Sequence, residues 1–239
     1  MKKHLDPYSD KILQLSLFTK LDEKNLEKIL ENAQIASCKK GKIFFSKDQK
    51  IINLNIVLSG AVKLFASNQD GDETIIKLVS DSFLNEIFDE KFLHNAQAIK
   101  DTKILTIPLK EFRENLQKFP QLALNALTFA SLENRELRQE ITQIKIDDAK
   151  QRVGNFLLKK SFVKGKKIEN FELNFSKAEI ASYLGIKPET LSRNLGKLQK
   201  DGEIAVNKNR ISLKKSESLC SYCDSEISSK CSHRKPSCE

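Results

Sequence analysis

Between Lys39 and Ile107 the apolar positions alternate with polar ones, as in Leu54, Ile56 and Leu58 and then Val62, Leu64 and Ala66, with turn signals at Ser59-Gly60 and Asp70-Gly71. A period of two broken by glycine turns predicts short antiparallel strands closing into a small roll or barrel. Upstream, Leu21, Leu26, Ile29, Leu30 and Ala33 keep helical spacing, which predicts a helix within residues 20–35 with Asp22 as its N-cap. Downstream, Pro120 can open a helix because its missing N–H is not needed in the first turn. Leu127, Ala130, Asn134, Leu137, Ile141 and Ile144 then recur at alternating steps of three and four, the seam of a coiled coil. Glu133, Arg135, Glu136, Arg138, Gln139 and Glu140 lie between them, so the apolar stripe is narrow and suits one partner helix, naturally the same helix of a second subunit. Asn134 would lower the stability of such a dimer while favouring one register. The competing reading is a surface helix packed on its own barrel.

Asp147-Asp148 reads as a hinge or helix start, followed by a helix through Val153, Phe156, Leu157 and Leu158 that ends by Gly165. Ser176 with Glu179 three residues on is a capping box, opening a helix with Ile180, Ala181 and Leu184 on its buried face and a stop at Gly185. After Ile186 and Lys187, Pro188 starts a second helix through Leu191, Leu195 and Leu198 to Asp201-Gly202. Two helices joined by a short glycine-containing turn form a helix-turn-helix. Ile204, Val206, Ile211 and Leu213 flank the polar tip Asn207-Lys208-Asn209-Arg210, which predicts a two-stranded wing.

With Leu191, Leu195 and Leu198 turned inward, Glu189, Ser192, Arg193, Gly196 and Lys197 occupy the other face of the second helix. Arg can grip guanine O6 and N7 with two hydrogen bonds, Glu can accept from cytosine N4, and Ser can donate or accept. Lys187, Thr190, Lys197, Lys208 and Arg210 are placed for phosphates, which give affinity without sequence information. Charge agrees: residues 176–215 hold nine Lys or Arg against four acids, a local +5 within a chain net of +9. A helical hairpin for protein contacts is the alternative. No Ser-His-Asp or Cys-His set, Walker loop or dinucleotide fingerprint is present, so an enzyme is the weakest class. Asp70-Gly71-Asp72 reads as a hairpin turn rather than a calcium loop.

The stretch E-T-L-S-R-N-L-G-K-L-Q-K-D-G from Glu189, followed by I-A-V and a short wing, resembles the recognition helix of the CRP/FNR family, and its FNR branch in particular. The resemblance runs in order along the chain: Gly41 to Phe83, including N-I-V-L-S-G-A-V-K-L from Asn55, resembles the family's cyclic-nucleotide-binding-type β-roll, and Leu122 to Ile146 occupies the place of its dimerisation helix. It implies an α+β chain with a β-roll sensor domain (1–119), a long dimerisation helix (120–146), a winged helix-turn-helix (147–215) and a cysteine-rich tail (216–239). It further implies a homodimer on double-stranded palindromic DNA with half-sites like TTGAT, read by Glu189, Ser192 and Arg193, with RNA polymerase as a further candidate partner. The chain departs from the pattern where cyclic-nucleotide binders carry a G-E-L phosphate cassette and a nearby arginine. Here the stretch reads F-L-N-E-I-F-D-E-K-F-L-H-N-A-Q-A. Cyclic AMP is therefore not the expected effector, because its phosphate would lose a close backbone approach and a charge-assisted partner.

The N-terminal cysteine cluster of the enterobacterial FNR type is also missing, since Cys38 is the only cysteine before residue 220. Instead Cys220, Cys223, Cys231 and Cys238 fall in the last twenty residues, with His233 among them. No signal-peptide core or apolar span of about 20 residues is visible, so a cytoplasmic protein without membrane contact is expected. In a reducing compartment such a cluster points to metal or redox chemistry. Three readings stand: a four-sulfur iron–sulfur site such as 4Fe-4S, sensing oxygen, nitric oxide or redox state; a zinc site in which Cys231 and His233 are interchangeable; or a disordered, Ser- and Lys-rich tail without metal. Haem on His94, the only histidine within residues 39–107, is a further candidate.

Overall fold

Asp22 caps the helix as expected: its carboxylate accepts the Asn25 N–H at 2.7 Å, and α2 runs Glu23–Ile29 behind the short α1 at Ser9–Leu13. The computed structural model describes residues 5–80, 82–163, 166–215 and 217–224 and separates into two units, Met1–Leu137 and Arg138–Glu239.

In the first unit the strands are β1 (Gln34–Cys38), β2 (Ile43–Phe45), β3 (Asn53–Ser59), β4 (Val62–Ser67), β5 (Glu73–Val79), β6 (Asn95–Ala98) and β7 (Thr102–Pro108). They form two antiparallel sheets, one ordered β1-β7-β3 and the other β2-β6-β4-β5, which is the anticipated roll. The strand run begins earlier than its alternation shows, because residues 34–38 pair with β7 instead of extending the helix. Gly60, at φ +92°, turns β3 into β4, and a Cβ there would stand 2.5 Å from the Asp101 carbonyl oxygen. At the hairpin tip between β4 and β5 the Asn68 side chain accepts from Asp72 N at 2.8 Å, confirming a turn. Leu54, Ile56 and Leu58 of β3 join Ile104 and Leu105 of β7 in one core with Leu17, Leu30 and Phe112. Phe112 belongs to α3 (Leu109–Lys118).

The helix α4 spans Pro120–Ile146. Its first turns bury Leu122 and Ala126 in the core of the roll. The Phe129 ring meets Phe83 with centroids 4.2 Å apart, and Glu133 pairs with Lys77 of β5. The six seam residues lie elsewhere on the helix: Leu127, Ala130, Asn134, Leu137, Ile141 and Ile144 are all exposed, Leu127 by 68% and Ile144 by 63%. The seam is thus not spent on the chain's own barrel.

In the second unit Asp148 caps α5 (Ala149–Lys160) by accepting from Gln151 N at 2.8 Å. A two-stranded ribbon of β8 (Phe162–Val163) and β9 (Lys166–Lys167) leads to β10 (Asn170–Glu172). After β10 come α6 (Lys177–Tyr183), α7 (Pro188–Lys200), β11 (Ile204–Asn207) and β12 (Arg210–Leu213). The wing has three strands, ordered β10-β12-β11, where the sequence predicts two. β10 supplies Phe171 opposite Ile211 and stays hidden from pattern reading because three residues cannot show an alternation.

Candidate nucleic-acid interface

The helix-turn-helix is held by caps before it is held by packing. Glu179 N donates to Ser176 Oγ at 3.2 Å and Ser176 N donates to Glu179 Oε2 at 2.6 Å, so both halves of the capping box form. At the far end Gly185 turns the chain at φ +63°. Arg152 of α5 donates from Nη1 to the Leu184 carbonyl at 3.0 Å, satisfying one of the acceptors that every helix leaves open at its C-terminus. Tyr183 donates to Glu140 Oε1 at 2.5 Å, fixing α6 against the last turns of α4. Ile180 and Ala181 of α6 and Leu191, Leu195 and Leu198 of α7 are buried.

That packing orients α7 as the sequence predicts. Pro188 is its first residue, and Glu189, Ser192, Arg193, Gly196 and Lys197 are exposed while Thr190 is half-buried. Among the described residues, no hydrogen bond or ion pair engages the side chains of Glu189, Ser192, Arg193 or Lys197. Lys187, at the N-cap, and Lys208, in the wing turn at φ +53°, are exposed as well. Arg210 differs: its Nη2 donates to Glu172 Oε1 of β10 at 3.0 Å. Lys150 of α5 pairs with Asp201 at the end of α7, 3.2 Å away. One residue of α7 escaped pattern reading. Asn194 is only 6% exposed, and a polar residue on an apolar face leaves no mark in hydrophobic periodicity.

The described part of the tail, residues 217–224, is folded against α5, with Leu219 and Tyr222 buried. Cys220–Tyr222 make a 3₁₀ turn closed by Cys223 N donating to the Cys220 carbonyl at 3.1 Å, so the C-x-x-C pair brackets a single hydrogen-bonded turn. Both thiols are half-buried. Lys167 Nζ donates to the Ser218 carbonyl at 3.0 Å and lies 3.8 Å from Cys220 Sγ. Cys231, His233 and Cys238 lie outside the described residues. Among the described residues no group of three or more His, Cys, Asp or Glu is arranged to hold a metal.

In the roll, Asn85, in the stretch that follows Phe83, and Asn55 of β3 form a buried pair of amides. Asn85 Oδ1 accepts from Asn55 N at 3.0 Å and from Asn55 Nδ2 at 2.9 Å, and Asn85 Nδ2 donates to the Asn53 and Glu86 carbonyls. Arg113 of α3 donates to the Ile87 and Asp89 carbonyls of the same segment. His94 is half-buried next to β6. Burial raises the pKa of the Cys38 thiol, which donates to the Lys42 carbonyl. No helix of the described residues is long and apolar enough to cross a membrane.

Comparison with known proteins agrees with this architecture. Residues 35–119 match the family model of the cyclic nucleotide-binding domain and residues 151–222 that of the Crp-like helix-turn-helix domain. The chain is 28% identical over 221 residues to the transcriptional activator protein anr of Pseudomonas aeruginosa, covering 90% of this chain and 89% of that protein. It is 26% identical over 203 residues to the fumarate and nitrate reduction regulatory protein of Escherichia coli, covering 81% and 79%. In fold it is similar to FixK2 from Bradyrhizobium japonicum, with a TM-score of 0.73 at 22% identity over 81% of this chain and 98% of that one. A cyclic-nucleotide-type roll, a long helix and a Crp-like helix-turn-helix thus follow one another in a chain whose relatives regulate transcription: the protein has the domain architecture of a CRP/FNR-type transcription regulator.

Proposed function

We propose that the protein acts in the cytoplasm as a homodimer on palindromic operators with TTGAT-like half-sites. Glu189, Ser192 and Arg193 read base edges, and Lys187, Thr190, Lys197, Lys208 and Arg210 hold phosphates. The observation that carries this reading is the outer face of α7, whose base-reading side chains are exposed and have no partner among the described residues. Such a face suits the major groove, where an Arg-guanine pair discriminates by about 1–3 kcal/mol. Dimerisation is supported by the exposed heptad seam of α4, and RNA polymerase is the further partner of a regulator bound in this way.

The dimer answers oxygen, nitric oxide or redox state through an iron–sulfur cluster on Cys220, Cys223, Cys231 and Cys238. A C-x-x-C pair on one closed turn fits two thiolate ligands to a single metal site. When bound, the cluster would supply reactivity toward oxidants that the protein's own side chains lack. The Asn55 amide donates to Asn85 and the Asn85 amide to the Asn53 and Glu86 carbonyls, so donors that a cyclic phosphate would need are already engaged, which supports a sensor outside the roll and argues against cyclic AMP.

The test is anaerobic purification with an absorption spectrum and iron, sulfide and zinc analysis, together with binding to a TTGAT palindrome before and after air or nitric oxide. Iron and sulfide with gas-dependent binding support the whole reading. Stoichiometric zinc replaces the cluster with the zinc site, and binding without metal discards both. Absence of salt-dependent DNA binding overturns the operator assignment.

A further inference from the structure

Residues 217–224 are built into the DNA-binding unit more firmly than a tail requires. Tyr222 lies over Gly154 of α5, where a Cβ would stand 2.2 Å from the ring Cγ. Only glycine lets the ring sit so close. Asn155, itself 3% exposed, donates from Nδ2 to both the Tyr222 carbonyl at 3.0 Å and Asp224 Oδ2 at 3.1 Å. Asp224 Oδ2 also accepts from Gln143 Nε2 of α4 at 3.1 Å and pairs with Lys159 Nζ of α5 at 3.3 Å. On the other side, Gln151 of α5 reaches the Ser221 carbonyl at 3.4 Å, and the Tyr222 hydroxyl lies 3.5 Å from Glu203, just ahead of β11.

One short strap therefore touches the last turns of α4, both ends of α5 and the start of the wing. These are the elements that set how α7 is presented. Cys220 and Cys223 flank Ser221 and Tyr222, so the anchoring ring is carried by the very turn that bears the two thiols.

We propose that residues 217–224 are a conformational latch: seated on α5, the strap holds the helix-turn-helix in its DNA-binding geometry, and ligation of Cys220 and Cys223 acts on DNA affinity by shifting the strap. The second half rests on the thiol-ligand reading above. The first half does not. By thermodynamic linkage, a metal that binds the seated and unseated strap unequally changes DNA affinity, and DNA changes metal affinity by the same factor.

The experiment uses the full chain, first in metal-free form. Asp224→Ala removes the clamp to Gln143, Asn155 and Lys159 without touching a thiol, and Tyr222→Ala empties the contact over Gly154. Hydrogen exchange along residues 149–160 and operator affinity at fixed salt are read for both. Asp224→Ala is expected to speed exchange in α5 about tenfold and to weaken operator binding about tenfold, leaving exchange in residues 54–58 of the roll unchanged. Should Tyr222→Ala fail to fold, Asp224→Ala still decides. Wild-type exchange and affinity in Asp224→Ala would overturn the latch, whatever the iron content. For the thiol half the probe is Zn²⁺ alone: it is expected to alter exchange in residues 149–160 of the wild type and not of a Cys220→Ser, Cys223→Ser double variant. Zinc bound by both cysteines with exchange unaltered would overturn the coupling while leaving the metal site standing.

Discussion

Arg210 and Glu172 face each other across β12 and β10, 3.0 Å apart, each 64% exposed. An ion pair so open to water is worth only about 0–1 kcal/mol, so a DNA phosphate can draw Arg210 away from it at little cost. Glu172→Ala is accordingly expected to tighten DNA binding by up to about fivefold per half-site. Arg210→Ala, which removes one phosphate contact from each subunit of the dimer, should lower the slope of log K against log salt by about two. Titrations at four salt concentrations measure both. An unchanged slope in Arg210→Ala would remove this residue from the phosphate contacts.

Arg193→Ala is expected to cost about 1–3 kcal/mol for each half-site of the best operator and to relax discrimination at one guanine in each. Lys197→Ala should weaken all sequences alike, as a phosphate contact does. Binding to a panel of single-base operator variants separates the two behaviours; an unaltered base preference in Arg193→Ala would remove that assignment.

Leu137→Glu combined with Ile141→Glu places charge in the exposed seam of α4. Neither residue is in the roll's core, so the chain should fold normally, sediment as a monomer and bind a palindrome about 100-fold or more weakly, having lost the avidity of two linked half-sites. A variant that still sediments as a dimer would place the subunit contact elsewhere.

Lys160 gives a pH dependence with a definite sign. Its ammonium lies 5.7 Å from the Phe156 ring centroid and 5.3 Å from that of Phe175, and burial lowers its pKa below 10.5. The unfolded chain then holds this proton more tightly than the folded one, so stability rises with pH between the lowered pKa and 10.5, and the charged form is penalised below that window. Lys160→Met is expected to be at least as stable as the wild type at pH 7 and to lose that alkaline rise. Melting curves from pH 7 to 11 check it. Clear destabilisation at pH 7 would mean that the cation–ring contacts outweigh the burial cost.

Elements with chemical punctuation could be read from the chain alone. Pro120, Asp148, Ser176 with Glu179, Gly185 and Pro188 each mark a helix end that the structure places within a residue or two. The outward face of α7 followed from its three inward leucines. What escaped depended on neighbours distant in sequence. β10 is too short to show its period, and its place is fixed by β12, some forty residues on. Asn55 and Asn85 can be buried because Asn55 donates to Asn85 and Asn85 donates to the Asn53 and Glu86 carbonyls, whereas hydropathy counts against both. The tail reads as flexible and polar because the cleft that receives Tyr222 is made by the absence of a side chain at Gly154.

The bare stripe on α4 makes the copy number of the protein an input in its own right. Pairing through the stripe is a second-order event, so at concentrations below its dissociation constant halving the chain leaves roughly a quarter of the pairs. Operator occupancy then falls more steeply than protein abundance. Dilution by cell growth or proteolysis would thus silence the target promoters sooner than loss of half the molecules implies.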